Sequence, residues 1–278
     1  DVGLASINIL WPIAAVILAT GLGIGSGGSV VMTHAMGAGD TEKALAARGN
    51  TLLCLGAATV LLTAALGLSY PWLLRLLGAT GELYQPAADY TVVVVLAGGL
   101  QIFNSGLNPL LRGSGRTVAA MAIMIFSLLC NILLDWLFIA VFAWGMRGAA
   151  LATVCGAAVN VLVIVVLSRA QGYPYLFHFT KHFRWSGAFV KAYFVKCFPI
   201  LCNEILIGVG NMVINIVLGR QSEQAIAAIA VFRTLEGLVI GFFSGFSNAA
   251  SVLVGKSVGA GELDAAYERA KRLVLLCG

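Results

Sequence analysis

Asn131 and Asp135 stand four residues apart in an apolar run from 118 to 143, so on a helix their side chains share one face. A carboxyl about two-thirds of the way along such a run is costly if it is charged and exposed to lipid, so it must face a bundle interior or water. Desolvation favours its neutral form, the property a carrier uses to hold and release a proton near neutral pH. Thr153, in the next apolar run after the short turn Trp144 to Gly148, is placed to hydrogen-bond it. A purely structural polar clamp between helices would use the same residues at the same spacing. Glu204 lies about eight residues into a later run, with Asn203, Asn211 and Asn215 near it in sequence. Arg233 and Glu236 are three apart in the run after that, a spacing that allows a structural ion pair. His178 and His182 have a zinc-like spacing but no third ligand nearby, so no metal site is expected. Cys54, Cys130, Cys155, Cys197, Cys202 and Cys277 contain no CxxC and read as free thiols in or beside apolar segments. There is no phosphate-cradling loop, nucleotide fingerprint or nucleophile arrangement, so neither an enzyme nor a cofactor beyond a coupling ion, H⁺ or Na⁺, is expected.

The elements that must position these groups follow from composition. Hydrophobic residues make up 60% of the 278 and charged residues 10%, against a soluble norm of about 25% charged, and the mean hydropathy is +0.95. Such a chain partitions into a bilayer. Stretches long enough to cross the hydrocarbon core occur at 4–33, 51–77, 90–111, 118–143, 148–168, 197–219 and 225–255, with another beginning near Leu273. Runs such as Thr91 to Leu100 do not alternate, which excludes spanning strands and predicts an all-α polytopic membrane protein. The first ten residues lack the basic start of a secretory signal peptide. Gly21 to Gly28 is dense in glycine, which suits close helix packing and also a hinge or cavity wall.

Charge sets the orientation. Lys43, Arg48, Arg112, Arg116, Arg169, Lys181, Arg184, Lys191, Lys196, Lys256, Arg269, Lys271 and Arg272 follow the odd-numbered spans, and only Arg75, Arg147 and Arg220 lie on the other side. The positive-inside rule puts the first group in the cytoplasm, in a multi-pass protein of the inner (plasma) membrane. Arg112 and Arg116 then read as anchors. The net charge of +5 is a topology signal and gives no reason to expect nucleic acid as a partner.

Gly37-Ala38-Gly39-Asp40 returns as Gly259-Ala260-Gly261-Glu262, and residues 1–56 lie on 223–278 without a gap, 11 of 56 being identical. The helix before 225–255 would have its twin at numbers below 1, so a unit of six helices and a whole protein of about twelve are expected. Six is even, which makes the repeat parallel: two bundles related by an axis along the membrane normal. The expected division is an N-terminal lobe at 1–170, a basic, aromatic interfacial segment at 171–196, and the start of a C-terminal lobe at 197–278.

Taken in order, the glycine-rich first span, Gly37-Ala38-Gly39-Asp40, Leu111-Arg112-Gly113-Ser114-Gly115, Asn131-x-x-Leu134-Asp135, Gly145-x-x-Gly148-Ala149-Ala150-Leu151-Ala152-Thr153, Arg233-x-x-Glu236 and the second Gly-Ala-Gly-acid turn resemble the MATE family of multidrug and toxic compound extrusion transporters. The resemblance covers nearly the whole chain, as helices 2 to 8 of twelve. It implies efflux of small, cationic amphiphiles by a monomeric proton or sodium antiporter, through alternating access of two lobes. In the proton-coupled branch an Asn and an Asp on helix 5 and a Thr on helix 6 join an Asp on helix 1. Asn131, Asp135 and Thr153 match the first three, and the fourth has no counterpart here. Another branch uses a helix 7 Glu; Glu204 lies on that helix, five residues after Pro199, closer than the usual spacing. With helix 1 and helices 10 to 12 unmatched, residues 1–278 alone are not expected to transport. A flippase for lipid-linked precursors, of the same superfamily, is the nearest alternative, although the few intramembrane basic residues, chiefly Arg233, speak against it. A membrane-embedded enzyme is the alternative from another class and would need clustered acids and histidines.

Overall fold

Backbone polar groups at lipid depth must find partners within their own segment, and the apolar runs accordingly wind into helices. A computed structural model of the chain describes residues 2–76, 84–170, 187–218 and 223–277. In chain order these form α1 (Val2–Gly37), α2 (Thr41–Leu76), α3 (Tyr84–Gly113), α4 (Thr117–Asp135), a π helix (Trp136–Val141), α5 (Gly145–Ala170), α6 (Gly187–Leu218), α7 (Glu223–Gly259) and α8 (Leu263–Cys277). The described residues contain no strand, and the molecule is an all-α, polytopic membrane protein.

Among the described residues six helices are long and apolar enough to cross a membrane: α1, α2, α4 with its π extension, α5, α6 and α7. The seventh expected span, 90–111, lies within α3, several of whose side chains fall outside the described residues. The helix keeps its place by packing against α1, α2 and α5. The apolar stretch from Leu273 is the last part of α8, whose charged first turns begin at Leu263. Similarly, α6 is already helical at Gly187, within the segment expected to be interfacial, and buried Tyr193 donates from its hydroxyl to Ile24 O, 3.0 Å away on α1. Residues 171–186, with His178 and His182, lie outside the described residues.

The centre is α1, which packs against α2, α3, α6 and α7. Over half of its apolar span is buried, 56% against 6% for that of α7. Its glycines explain how four neighbours fit. A Cβ on Gly25 would stand 2.6 Å from Gly106 Cα and 2.8 Å from the Gly106 carbonyl carbon, so the α1 and α3 backbones touch there. Gly28 receives Thr51 of α2, and Gly27 receives Cys197 of α6. Close packing is thus the use made of the glycine-dense stretch. Met32, Leu107, Leu110 and Leu111 with Ala44 and Ala47 form the core at the Gly-Ala-Gly end, and Ile17, Leu55, Leu74 and Ile102 a second cluster. Large apolar side chains such as Leu68, Leu133, Leu162 and Leu238 face outward, where lipid is their natural solvent.

The two Gly-Ala-Gly turns are built alike, bond for bond. Ala38 N, Gly39 N and Asp40 N donate to His34 O, Met36 O and Ala35 O at 3.1, 3.1 and 3.0 Å; Ala260 N, Gly261 N and Glu262 N donate to Lys256 O, Val258 O and Ser257 O at 3.0, 3.1 and 3.0 Å. Gly39 and Gly261 hold φ of +73° and +79°, the left-handed C-cap that lets a helix stop and the next one start. The two turns also meet. A Cβ on Gly37 would strike Lys256 O, and one on Gly259 would strike His34 O, so each copy uses its glycine against the other's main chain. Such a reciprocal contact is what a two-fold relation between the copies produces.

Since nothing lies within 4 Å of a Cβ at Gly39, Gly39→Ala is expected to cost only the left-handed backbone penalty, about 1 kcal/mol, and Gly261→Ala the same. Melting temperatures in detergent check this, with Gly39→Asn expected to fall between alanine and glycine. In the first turn Asp40 also caps α2: its Oδ1 accepts from Lys43 N at 2.9 Å and its Oδ2 lies 2.7 Å from Lys43 Nζ. The bond from the Lys43 side chain, and then that from its backbone, hold the exposed Asp40 carboxyl below the usual carboxylate range. A lowered folded-state value means that the cap's contribution is present above the unfolded-state value and lost as pH falls through the folded one.

Candidate functional site

The polar residues of α3 fall at 101, 104, 105, 108 and 112, which is one helix face, and that face is turned inward. Opposite it α5 presents Thr153, Gly156, Ala157 and Asn160, again a single face, and α4 supplies Met121, Met124, Ile125, Leu128 and Asn131. With Leu22 of α1 these walls border an open cavity of about 680 Å³, within the size range of small-molecule sites.

Its amides are partly tied together. Asn108 Nδ2 donates to Asn104 O at 2.8 Å and makes a long contact of 3.5 Å with Asn160 Oδ1, which links α3 to α5. Asn104 Nδ2 reaches Gln101 Oε1 at 3.5 Å. Asn104 Oδ1 and Asn108 Oδ1 are buried and accept no hydrogen bond from the described residues, so part of the polar capacity of the wall is unspent. Ser127 Oγ donates to Gly156 O at 2.9 Å and clamps α4 to α5. Gly156 leaves room for Asn131: a Cβ there would come within 3.1 Å of Asn131 Cβ.

Of the residues singled out by sequence, Asn131 and Thr153 are brought together on the cavity wall. The Thr153 hydroxyl donates to Ala149 O of its own helix at 3.0 Å. Asp135 stands one turn beyond Asn131, half-buried, as the last α-helical residue of α4. The chain then widens into the π helix, where Phe142 N donates to Leu137 O and Trp144 N to Phe138 O, both at 3.0 Å. Ala143 follows with φ of +54°, and Phe138, Phe142 and Trp144 close the end with ring centroids 5.3 to 6.2 Å apart. Wide turns of this kind recur at functional positions in helices. Glu204 on α6 and Glu236 on α7 are half-buried and do not line this cavity. The Arg233 side chain, and so its pairing with Glu236, lies outside those described. Cys54, Cys130, Cys155, Cys197 and Cys202 are free thiols.

Sequence reasoning missed Gln101, Asn104, Asn108 and Asn160, and read Arg112 only as an anchor although it lines the cavity. The signal was available in the spacing of Gln101, Asn104 and Asn108, which repeats at helical intervals within an apolar run.

Known proteins share both sequence and shape with this chain. The profile of the MatE family matches residues 1–137 and 199–278. A probable multidrug resistance protein, YoeA, of Bacillus subtilis is 25% identical over 266 residues, 94% of this chain and 58% of its own. Protein DETOXIFICATION 35 of Arabidopsis thaliana is 31% identical over 198 residues, 69% of this chain and 39% of its own. A solved structure described as the outward-facing conformation of a multidrug resistance MATE family transporter superposes with a TM-score of 0.85 at 24% identity, covering 99% of this chain and 62% of its own. The chain thus spans about half the length of the curated relatives it matches.

Proposed function

The chain belongs to the MatE family, and from that premise we propose that it serves efflux: amphiphilic small molecules leave the cell in exchange for an inward-moving cation, by alternating access. The observation that carries this reading is the amide-lined cavity among α1, α3, α4 and α5, with Asn131 and Thr153 in its wall and Asp135 one turn beyond. In this reading a proton taken up from outside neutralises Asp135, Asn131 and Thr153 set its polarity, and the rearrangement of the first lobe releases the bound molecule outward. Sodium is the alternative ion for the same step. Glu204 is a second coupling candidate on the other lobe, and Arg233 with Glu236 a structural pair. The lobes are residues 1–170 and 197–278, joined at the cytoplasmic face, in a monomer of the inner membrane.

Accumulation of a fluorescent dye in cells expressing the complete protein, with the proton and sodium gradients collapsed in turn, tests this. Extrusion that stops with one ionophore and continues with the other supports the antiport and identifies its ion. Dye levels unchanged by the protein, once it is shown to be in the membrane, would defeat it in favour of the lipid-linked precursor flippase.

A further inference from the structure

On the reading that this cavity holds the transported molecule, we infer that it selects for an acidic group: an amphiphile whose carboxylate, phosphate or sulfonate is seated on Arg112. Among the described residues lining the cavity Arg112 alone is charged, and none is a carboxylate. A guanidinium stays protonated in proteins, so this end of the cavity is positive in every state of the transport cycle. Arg112 lies four residues beyond Asn108 on the same face of α3, and Thr117 and Asn160 line the same cavity. The fork-shaped N–H donors of a guanidinium suit an oxyanion, and the Thr117 hydroxyl on the same lining can add a donor; the unspent Asn104 and Asn108 oxygens are acceptors that suit a hydroxyl or N–H elsewhere on the same molecule. The rest of the lining suits the other half of an amphiphile: Met121, Met124, Ile125 and Leu128 of α4 form an apolar strip, and methionine adapts to varied shapes. A cation entering the same space meets like charge at one end and no opposite charge among the described lining residues, an arrangement that discriminates against it.

The inference differs from the cationic substrates that the family resemblance implies, and it places Asp135, which is outside the lining, in coupling and not in substrate binding. The oxyanion can come from two sources, a soluble organic acid or the headgroup of an anionic phospholipid, and the chemistry at Arg112 is the same for both.

Paired probes in cells and in proteoliposomes of zwitterionic lipid test it. In cells, efflux of a carboxylated fluorescein is compared with that of ethidium for the complete wild-type protein, Arg112→Gln and Arg112→Lys. In proteoliposomes, translocation of labelled phosphatidylglycerol is compared with that of labelled phosphatidylcholine. The expected result is a fall of about tenfold in the anionic-to-cationic, or anionic-to-zwitterionic, ratio for Arg112→Gln, with Arg112→Lys, which keeps the charge but loses the fork, falling between Arg112→Gln and wild type. The dye arm answering assigns a soluble acid, the lipid arm a headgroup, and either supports the inference. A purely structural arginine would lower both members of a pair in proportion, and that result overturns it, as would a wild-type protein that moves ethidium but neither anionic probe. Failure to move any probe under an imposed gradient would instead defeat the transport reading beneath it.

Discussion

In Asp135→Asn, gradient-driven dye extrusion is expected to fall by on the order of tenfold or more, with the amount of protein in the membrane unchanged. Asparagine has nearly the shape of aspartate and keeps an oxygen acceptor, so the packing at the end of α4 is retained. What it lacks is a proton that can be gained and lost. Asp135 is half-buried at the junction with the π helix, beside a segment that departs from regular helix geometry. Initial efflux rates from energised cells, normalised to in-gel fluorescence of a tagged protein, provide the measurement. Asp135→Glu, which keeps the carboxyl, is expected to retain part of the activity. Equal rates for Asp135→Asn and wild type would remove Asp135 from the coupling mechanism.

The second large effect is structural. Gly25→Leu is expected to yield little or no folded protein, since the first carbon of any side chain at this position already falls 2.6 Å from Gly106 Cα, and backbone cannot rotate aside as a side chain can. Overpacking a filled site costs about 1–3 kcal/mol and occasionally more, and here the helices around α1 leave it no direction in which to yield. Fluorescence-detected size-exclusion chromatography in mild detergent reads the result as loss of the monodisperse peak. Gly241→Ala is the control, because nothing lies within 4 Å of a Cβ at that position, and it is expected to behave like wild type. A normal peak for Gly25→Leu would show that α1 and α3 do not touch as described.

Much of the architecture was legible because lipid leaves the backbone so few choices. Apolar length located the helices, and Gly-Ala-Gly-acid located two turns whose hydrogen bonds later matched one for one. Periodicity and composition alone could not show which way α3 faces. Arg112 ends a span and follows the positive-inside pattern, so an anchor sufficed to explain it, and only the packing of α3 against α1 and α5 turns its polar face toward a cavity. The π helix was invisible for a different reason: Trp136 to Val141 is ordinary apolar sequence, and nothing in its residue types marks the wider winding, against which Gly148 of α5 packs at Phe138. Thr153 and Asn131 were recognised by type and spacing, whereas Asn104, Asn108 and Asn160 draw their meaning from neighbours far along the chain.

The paired glycine contacts between α1 and α7 have a mechanical consequence. Gly37 bears on Lys256 and Gly259 bears on His34, while Gly255 faces Thr33 one turn away, so the two copies approach most closely where each places a glycine on the other's main chain. At both points main chain meets main chain, so the separation of the two helix ends is set by atoms that no change of rotamer can move.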